Sequence, residues 1–131
     1  QKLFQRRGIG MISRKAFIDK VNLEGFSFNI QIPWWGYNDF KSLVRRKRLS
    51  EEQLYQIFLS LCREIEDRQM HELELKGKYN TGFYVVESNG REFRFEFVFK
   101  KNQQLRVYNL FETVNGRKKL TLMDLLDFIM D

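Results

Sequence analysis

Apolar residues recur at every second position between residues 91 and 100, which predicts a β-strand buried on one face. The preceding Asn89-Gly90 supplies the two positive φ angles of a type I′ hairpin turn, so residues 83–88 are predicted as the partner strand, with Ser88 opposite Arg91. The predicted inner face carries Tyr84, Val86, Phe93, Phe95, Phe97 and Phe99. The opposite, solvated face carries Glu87, Glu92, Arg94 and Glu96.

Three further stretches are predicted as strands. Residues 26–32 alternate between apolar and polar side chains until Pro33, which removes a backbone donor and ends the strand. Residues 71–78 alternate in the same way and lead into the hairpin. Residues 105–114 follow it after a polar turn, and Asn115-Gly116 is predicted to end this strand.

Two helices have clear start signals. Ser13 is a suitable N-cap for a short helix over residues 14–21, which presents one apolar face. Ser50 and Gln53 form a capping box, and apolar residues then recur at helical spacing, which predicts a helix over residues 51–69.

The remaining helices begin less distinctly. Residues 34–37, Trp-Trp-Gly-Tyr, are predicted as an aromatic turn, and Asn38 or Asp39 then caps a helix whose last turn carries the basic run at residues 45–48. Thr121 is the predicted cap of a C-terminal helix that is apolar nearly all round.

These elements follow the order α-β-α-α-β-β-β-β-α, which is typical of an α+β domain with helices packed on an antiparallel β-meander of four to five strands. The chain shows no linker, internal repeat or change of composition, so residues 1–131 are interpreted as one domain. Residues 1–10 precede the first methionine, Met11, and two origins stay open for them: a native upstream segment, or residues left from cloning.

Composition narrows the class of protein. Aromatic residues make up 15% of the chain and proline occurs once, which excludes a disordered or low-complexity chain. The single cysteine, Cys62, excludes an intramolecular disulfide and a multi-cysteine metal site, and no cofactor is expected. No apolar stretch approaches the ~20 residues of a membrane span, so a soluble, cytoplasmic domain is expected.

The net charge of +6 is unevenly distributed. Residues 1–48 hold eleven lysines and arginines against three acids, whereas the remainder of the chain is slightly acidic. Such asymmetry indicates an anionic partner, either nucleic acid or an acidic protein surface.

Basic and aromatic side chains occur together in this first third. Fixed cations bind phosphates and flat rings stack on unpaired bases, which predicts an interface for RNA or single-stranded DNA. The candidate residues are Arg45, Arg46, Lys47, Arg48, Trp34, Trp35, Tyr37, Arg14 and Lys15. The alternative interpretation is a solvated helix end next to two core tryptophans.

Catalytic alternatives rest on weaker patterns. Glu74 and Lys76 point the same way from a predicted strand, as in metal-dependent nucleases, and His71 is the only histidine available as a general base. Some ribonuclease toxins cleave RNA without a titrating base, for which the candidates are Arg91, Arg94, Lys100, Arg106 and Tyr108. Acids on the same face oppose that hypothesis, so a non-catalytic binding module is favoured, with a small nuclease as the alternative.

The apolar C-terminal helix suggests a third class of function. Met123, Phe128 and Met130 are the residues that would anchor a protein partner or a homodimer. The third class is a partner-neutralising protein, such as an immunity or antitoxin protein, that acts by surface complementarity alone. The competing interpretation is that this helix covers the domain's own phenylalanine-rich sheet.

Overall fold

The structure, a computed structural model, describes residues 11–46, 48–68, 79–100 and 102–119. The helices in this part of the chain are α1 (Arg14–Asn22), α2 (Trp34–Arg45) and α3 (Glu51–Asp67). The strands are β1 (Asn29–Gln31), β2 (Tyr79–Ser88), β3 (Arg91–Lys100), β4 (Gln104–Val114) and β5 (Arg117–Lys118). The predicted α+β class is confirmed, and the order of the described elements agrees with the prediction. The elements predicted at residues 71–78 and 121–131 lie outside the described residues.

The five strands form one sheet in the order β1-β4-β3-β2, and β5 pairs with the far end of β4. All pairings are antiparallel except that of β1 with β4, which is parallel. The predicted hairpin register is confirmed, since Ser88 lies opposite Arg91 and Tyr84 opposite Phe95. The alternating phenylalanines of β3 are therefore all buried on one side of the sheet.

A β-bulge interrupts the pairing of β3 with β4. Glu96 pairs with Asn109 but its neighbour Phe97 pairs with Val107, so Tyr108 has no partner across the ladder. The bulge changes which positions of β4 face inward. Odd-numbered positions such as Val107 are buried before it, and even-numbered positions such as Leu110 are buried after it. If the alternation of inward and outward residues is continued past Tyr108 as though there were no bulge, the second half of β4 is assigned to the wrong face of the sheet.

Helices α2 and α3 cover the inner face of the sheet. Their aromatic rings meet Phe95 edge-on, with ring centroids 6.2 Å away for Phe40 and 5.6 Å away for Phe58. Phe28, just before β1, packs on Phe99 in the same way. These contacts join the helices and the sheet into one apolar core on the inner face.

The predicted aromatic turn at residues 34–37 is wrong, because these residues are the first turn of α2. Pro33 is the N-cap, with φ −67° and ψ 159°, and its carbonyl accepts a 3.0 Å hydrogen bond from the Tyr37 amide. Proline fits a helix start since it lacks the amide hydrogen that the first turn leaves unpaired. Asn38 and Asp39 consequently lie inside the helix rather than at its cap.

Strand β1 is shorter than predicted. Only residues 29–31 of the stretch predicted at 26–32 pair with β4, although Phe28, Ile30 and Ile32 are buried as their alternation predicted. Strand β4 ends at Val114 as predicted, at the turn formed by Asn115-Gly116. Its φ angles of 54° and 78° match those of Asn89-Gly90, and it turns the chain back into the unpredicted strand β5.

Candidate nucleic-acid interface

The predicted binding residues lie at opposite ends of α2. Trp34 and Trp35 occupy its first turn and are 64% and 48% exposed, so they are surface residues rather than core residues. Arg45 is exposed on its last turn. At a rise of about 1.5 Å per residue, the ten residues from Trp35 to Arg45 span about 15 Å. The basic run and the tryptophans therefore form two separate groups, and Lys47 lies outside the described residues.

Three other predicted residues have defined contacts. The buried Tyr37 hydroxyl donates a 2.6 Å hydrogen bond to the carbonyl of Ile12, so its ring is part of the core and is not a platform for a base. Arg14 donates to the carbonyl of Ile32 at 2.7 Å, which fixes its guanidinium beside β1. Lys15 is exposed and forms an ion pair with Asp19, one helical turn away.

The side of the sheet opposite the helices is called here the outer face. It is formed by Thr81, Phe83, Val85, Glu87, Glu92, Arg94, Glu96, Val98, Arg106, Tyr108, Asn109, Phe111 and Thr113. Phe83 is 57% exposed in the described structure, an unusual degree for a phenylalanine on a sheet. Phe83 and Tyr108 line a shared shallow groove across β3. The outer face therefore presents aromatic rings to solvent.

Each of three aromatic rings around the outer face has a cation beside it. The Arg94 guanidinium lies 3.9 Å from the centre of the Phe83 ring. The Arg106 guanidinium lies 5.5 Å from the Trp35 ring, which reaches this side of the sheet from the start of α2. Lys118 Nζ, from β5, lies 5.6 Å from the Phe111 ring. These distances fall within the range of cation–π attraction, which holds each pair in place.

Two of the three carboxylates of the outer face, those of Glu92 and Glu96, accept hydrogen bonds. Glu96 accepts from Arg94 Nε at 3.0 Å and from the Asn109 side-chain amide at 2.9 Å. Glu92 accepts from the Thr113 hydroxyl at 2.6 Å. Glu92 also lies opposite Glu87 next to the β2–β3 turn, so the acidic part of the face is at that end.

The opposite end of the outer face is basic. Arg106 and Arg14 line one groove, together with Pro33 and residues of β1. The parallel pairing of β1 with β4 produces this arrangement, since it sets Gln31 opposite Arg106. Arg14, from the predicted set, thereby shares a groove with Arg106, whose guanidinium lies beside the Trp35 ring.

Phe83 and Phe111 are not among the binding residues predicted from the sequence. A signal for Phe83 was present, because the predicted hairpin register puts both Phe83 and Val85 on the side that should be solvated. Phe111 gave no such signal, since the bulge at Tyr108 determines its side. Arg94, Arg106 and Tyr108 were considered only as residues of a ribonuclease.

Arg48 takes part in a separate cluster at the end of β4. Its Nε lies 3.9 Å from the carboxylate of Glu112, which is buried at 7% exposure. Arg91 and Lys119 approach the same carboxylate, at 3.8 Å and 3.6 Å. These four residues are called the Glu112 cluster below.

The residues proposed for catalysis are only partly described. His71, Glu74 and Lys76 lie outside the described residues, and the described ones include no group of three His, Cys, Asp or Glu side chains that could hold a metal ion. Arg94 is engaged by Glu96, and Arg91 donates to the Arg48 carbonyl. Burial raises the pKa of the Cys62 thiol, so it stays protonated at neutral pH and is not a nucleophile.

No helix in the described part of the chain has the length and apolar character needed to cross a membrane. Comparison with known proteins found no match of this chain to a family model, to a curated protein or to a solved structure.

Proposed function

We propose that this protein binds single-stranded nucleic acid across the outer face of its sheet, without cleaving it. The observation that carries the proposal is the set of three aromatic rings, Phe83, Trp35 and Phe111, each with a cation within 6 Å. Rings on an open sheet stack on unpaired bases of any sequence, and adjacent cations bind the phosphates that link those bases.

A single strand suits this surface better than a duplex. Phe83 and Trp35 expose about half of their surface on a sheet, where a base must be unstacked from its neighbours to lie on the ring. A duplex keeps its bases stacked inside and offers mainly phosphates to such a surface. Stacking on exposed rings therefore favours RNA or single-stranded DNA.

The distribution of charge suggests where the strand runs. Arg106 forms the basic end of the outer face, with Arg14 beside it along β1, and Glu87 and Glu92 form the acidic end. Phosphates are attracted to the first and repelled by the second. We expect the strand to cross the middle of the sheet over Tyr108 and Phe83, with its backbone beside Arg106. One end of the strand would leave over Phe111 and Lys118, at the β4–β5 side of the sheet and away from Glu87 on β2.

The experiment that tests this proposal is a binding titration with fluorescently labelled oligouridine and oligothymidine, followed by anisotropy. Phe83→Ala is expected to weaken binding by about 1–3 kcal/mol, which is typical for the loss of one stacked base. Leu23→Ala is the matched control, because Leu23 is also a highly exposed apolar residue but lies outside the outer face. Equal affinities for wild type and Phe83→Ala would contradict the proposal.

A second titration tests the contribution of charge. Arg106→Ala is expected to weaken binding to every sequence and to reduce the slope of log affinity against log salt by about 1, because one phosphate contact is lost. Arg45→Ala removes the same charge from the far end of α2 and should leave the slope unchanged. A larger effect of Arg45→Ala than of Arg106→Ala would place the interface at the basic run that the sequence first indicated.

A cleavage assay tests the non-catalytic part of the proposal. Cleavage of the oligonucleotide, with magnesium or with a chelator, would overturn it.

A further inference from the structure

The Glu112 cluster has a surplus of positive charge in a partly buried place. Arg48, Arg91 and Lys119 surround one carboxylate, so the four charges sum to +2. All three cationic side chains are only partly exposed, and the carboxylate is buried. Like charges held together in such a place repel one another, and an added anion relieves that repulsion.

The cations retain hydrogen-bond donors for such an anion. They lie 3.6–3.9 Å from Glu112, beyond the 2.7–2.9 Å of a charge-assisted hydrogen bond. Arg91 uses one of its five N–H groups to donate to the Arg48 carbonyl at 2.9 Å, which ties the Arg91 guanidinium to the backbone of Arg48. The other donors of the three side chains have no hydrogen-bond acceptor among the described residues.

Arg48, Glu112 and Lys119 line a cleft between α2 and the β4–β5 hairpin, and Arg91 lines a neighbouring groove that shares Glu112 and Lys119 with it. The other residues that line the cleft are Asp39, Ser42, Leu43, Arg46, Leu110, Phe111 and Lys118. Phe111 and Lys118 also form one of the cation–aromatic pairs of the proposed interface. The cleft is therefore continuous with the surface that we propose for the bases.

We propose that the Glu112 cluster binds a phosphate monoester, the terminal phosphate of the strand lying on the outer face. This inference rests on the proposed function for the strand, but the phosphate site stands on its own geometry. A terminal phosphate carries −1.5 to −2 charges at neutral pH and offers three acceptor oxygens, whereas an internal phosphate diester carries one charge. The charge of +2 and the presence of two guanidinium groups and an ammonium group match the terminal group better.

Glu112 has a positioning role in this site. A buried carboxylate between three cations holds their side chains together while the site is empty, and it limits how strongly the site attracts any anion. Its backbone carbonyl accepts a 2.7 Å hydrogen bond from the Lys119 amide, which ties β5 to the cluster. The sequence gives no indication of this arrangement, because Glu112 faces inward only as a result of the bulge in β4.

The test compares oligonucleotides of one sequence that end in a 5′-phosphate, a 3′-phosphate or hydroxyl groups only. A phosphate at one of the two ends should tighten binding about tenfold, as charge-assisted hydrogen bonds allow. Lys119→Gln should abolish the preference while the hydroxyl-ended strand still binds. Arg117→Gln is the matched control, since Arg117 lies two residues before Lys119 and is exposed, and it should keep the preference.

A measurement without a strand separates this inference from the proposed function. Thymidine 5′-monophosphate and thymidine 3′-monophosphate are added to the wild type, and at least one should raise the midpoint of thermal unfolding while thymidine does not. Lys119→Gln should show no rise. If the hydroxyl-ended strand binds but the phosphates change neither affinity nor midpoint, the phosphate site is wrong and the outer face stands. If a nucleotide stabilises the protein but no strand binds, the phosphate site stands and the proposed function is wrong.

Discussion

Tyr55 is a core residue with a polar hydroxyl group. Its surroundings raise the pKa of that group, so its ionisation is coupled to folding. It is almost fully buried, and its hydroxyl donates a 2.9 Å hydrogen bond to the Glu24 carboxylate. Burial, this hydrogen bond and the negative charges of Glu24 and Glu52 raise the pKa of Tyr55 to about 12, against a nearby positive charge that lowers it. Each of the first three favours the neutral phenol.

The pH dependence of stability follows from this shift. In the unfolded chain Tyr55 releases its proton near pH 10, whereas in the folded protein it holds the proton until about pH 12. The free energy of unfolding should therefore be unaffected by Tyr55 below pH 10 and should fall between about pH 10 and pH 12. Urea unfolding of wild type and Tyr55→Phe across this range checks the prediction, because the variant should show a smaller fall. Parallel curves for the two proteins would contradict it.

Single residues differ in how far their roles can be predicted from the sequence. Ser13 and Ser50 were predicted as N-caps and both accept the expected backbone hydrogen bonds, because capping depends only on residues up to three positions away. Glu112 could not be predicted as a buried charge, since its side of the sheet depends on the pairing of β4 with β3. The cations around it come from Arg48, Arg91 and Lys119, which are far apart in the sequence.

Helix α2 shows how packing overrides a local pattern. Its sequence begins with a proline, two tryptophans and a glycine, which are typical of a turn rather than a helix. Gly36 is nevertheless helical, and a Cβ atom on it would lie 3.0 Å from the backbone oxygen of Tyr108. The glycine allows α2 to pack closely on the bulged part of β4, which no property of residues 34–37 alone reveals.

This close packing gives a prediction for α2. Alanine favours an exposed helix over glycine by about 1 kcal/mol, yet Gly36→Ala should destabilise the protein by about 1–3 kcal/mol because backbone atoms of β4 cannot move aside easily. Asn38→Ala is the control, since Asn38 is exposed on the same helix and should be neutral or slightly stabilising. Both are measured by urea unfolding. A Gly36→Ala variant as stable as wild type would show that the contact is not tight.

At the scale of the whole molecule, the sequence predicted the layered α+β arrangement but not the distribution of its charges in space. Alternation fixed the inner face of β3, and the Asn-Gly turn fixed the hairpin, because both signals are local. The basic character of the first third was also evident. Helix α2 separates Arg45 from Trp35, and β1 brings Arg14 close to Arg106. Both arrangements depend on contacts between residues that are distant in the sequence.

The outer face therefore replaces the basic run as the centre of the functional hypothesis. Its exposed rings and engaged carboxylates come from β2, β3 and β4 together with the first turn of α2. A ligand that crosses this face must contact residues distant in sequence, whereas one that binds the basic run contacts a single helix end. The two possibilities differ in which residues lie against the nucleic acid.

Ultraviolet cross-linking to an oligouridine strand, with the linked residues identified by mass spectrometry, distinguishes them most directly. We predict cross-links at Phe83, Tyr108 and Trp35, which are competed away by unlabelled single strands and reduced by Arg106→Ala. Cross-links confined to the C-terminal end of α2, or none above the level of an unrelated protein, would contradict the assignment of the outer face as the nucleic-acid interface.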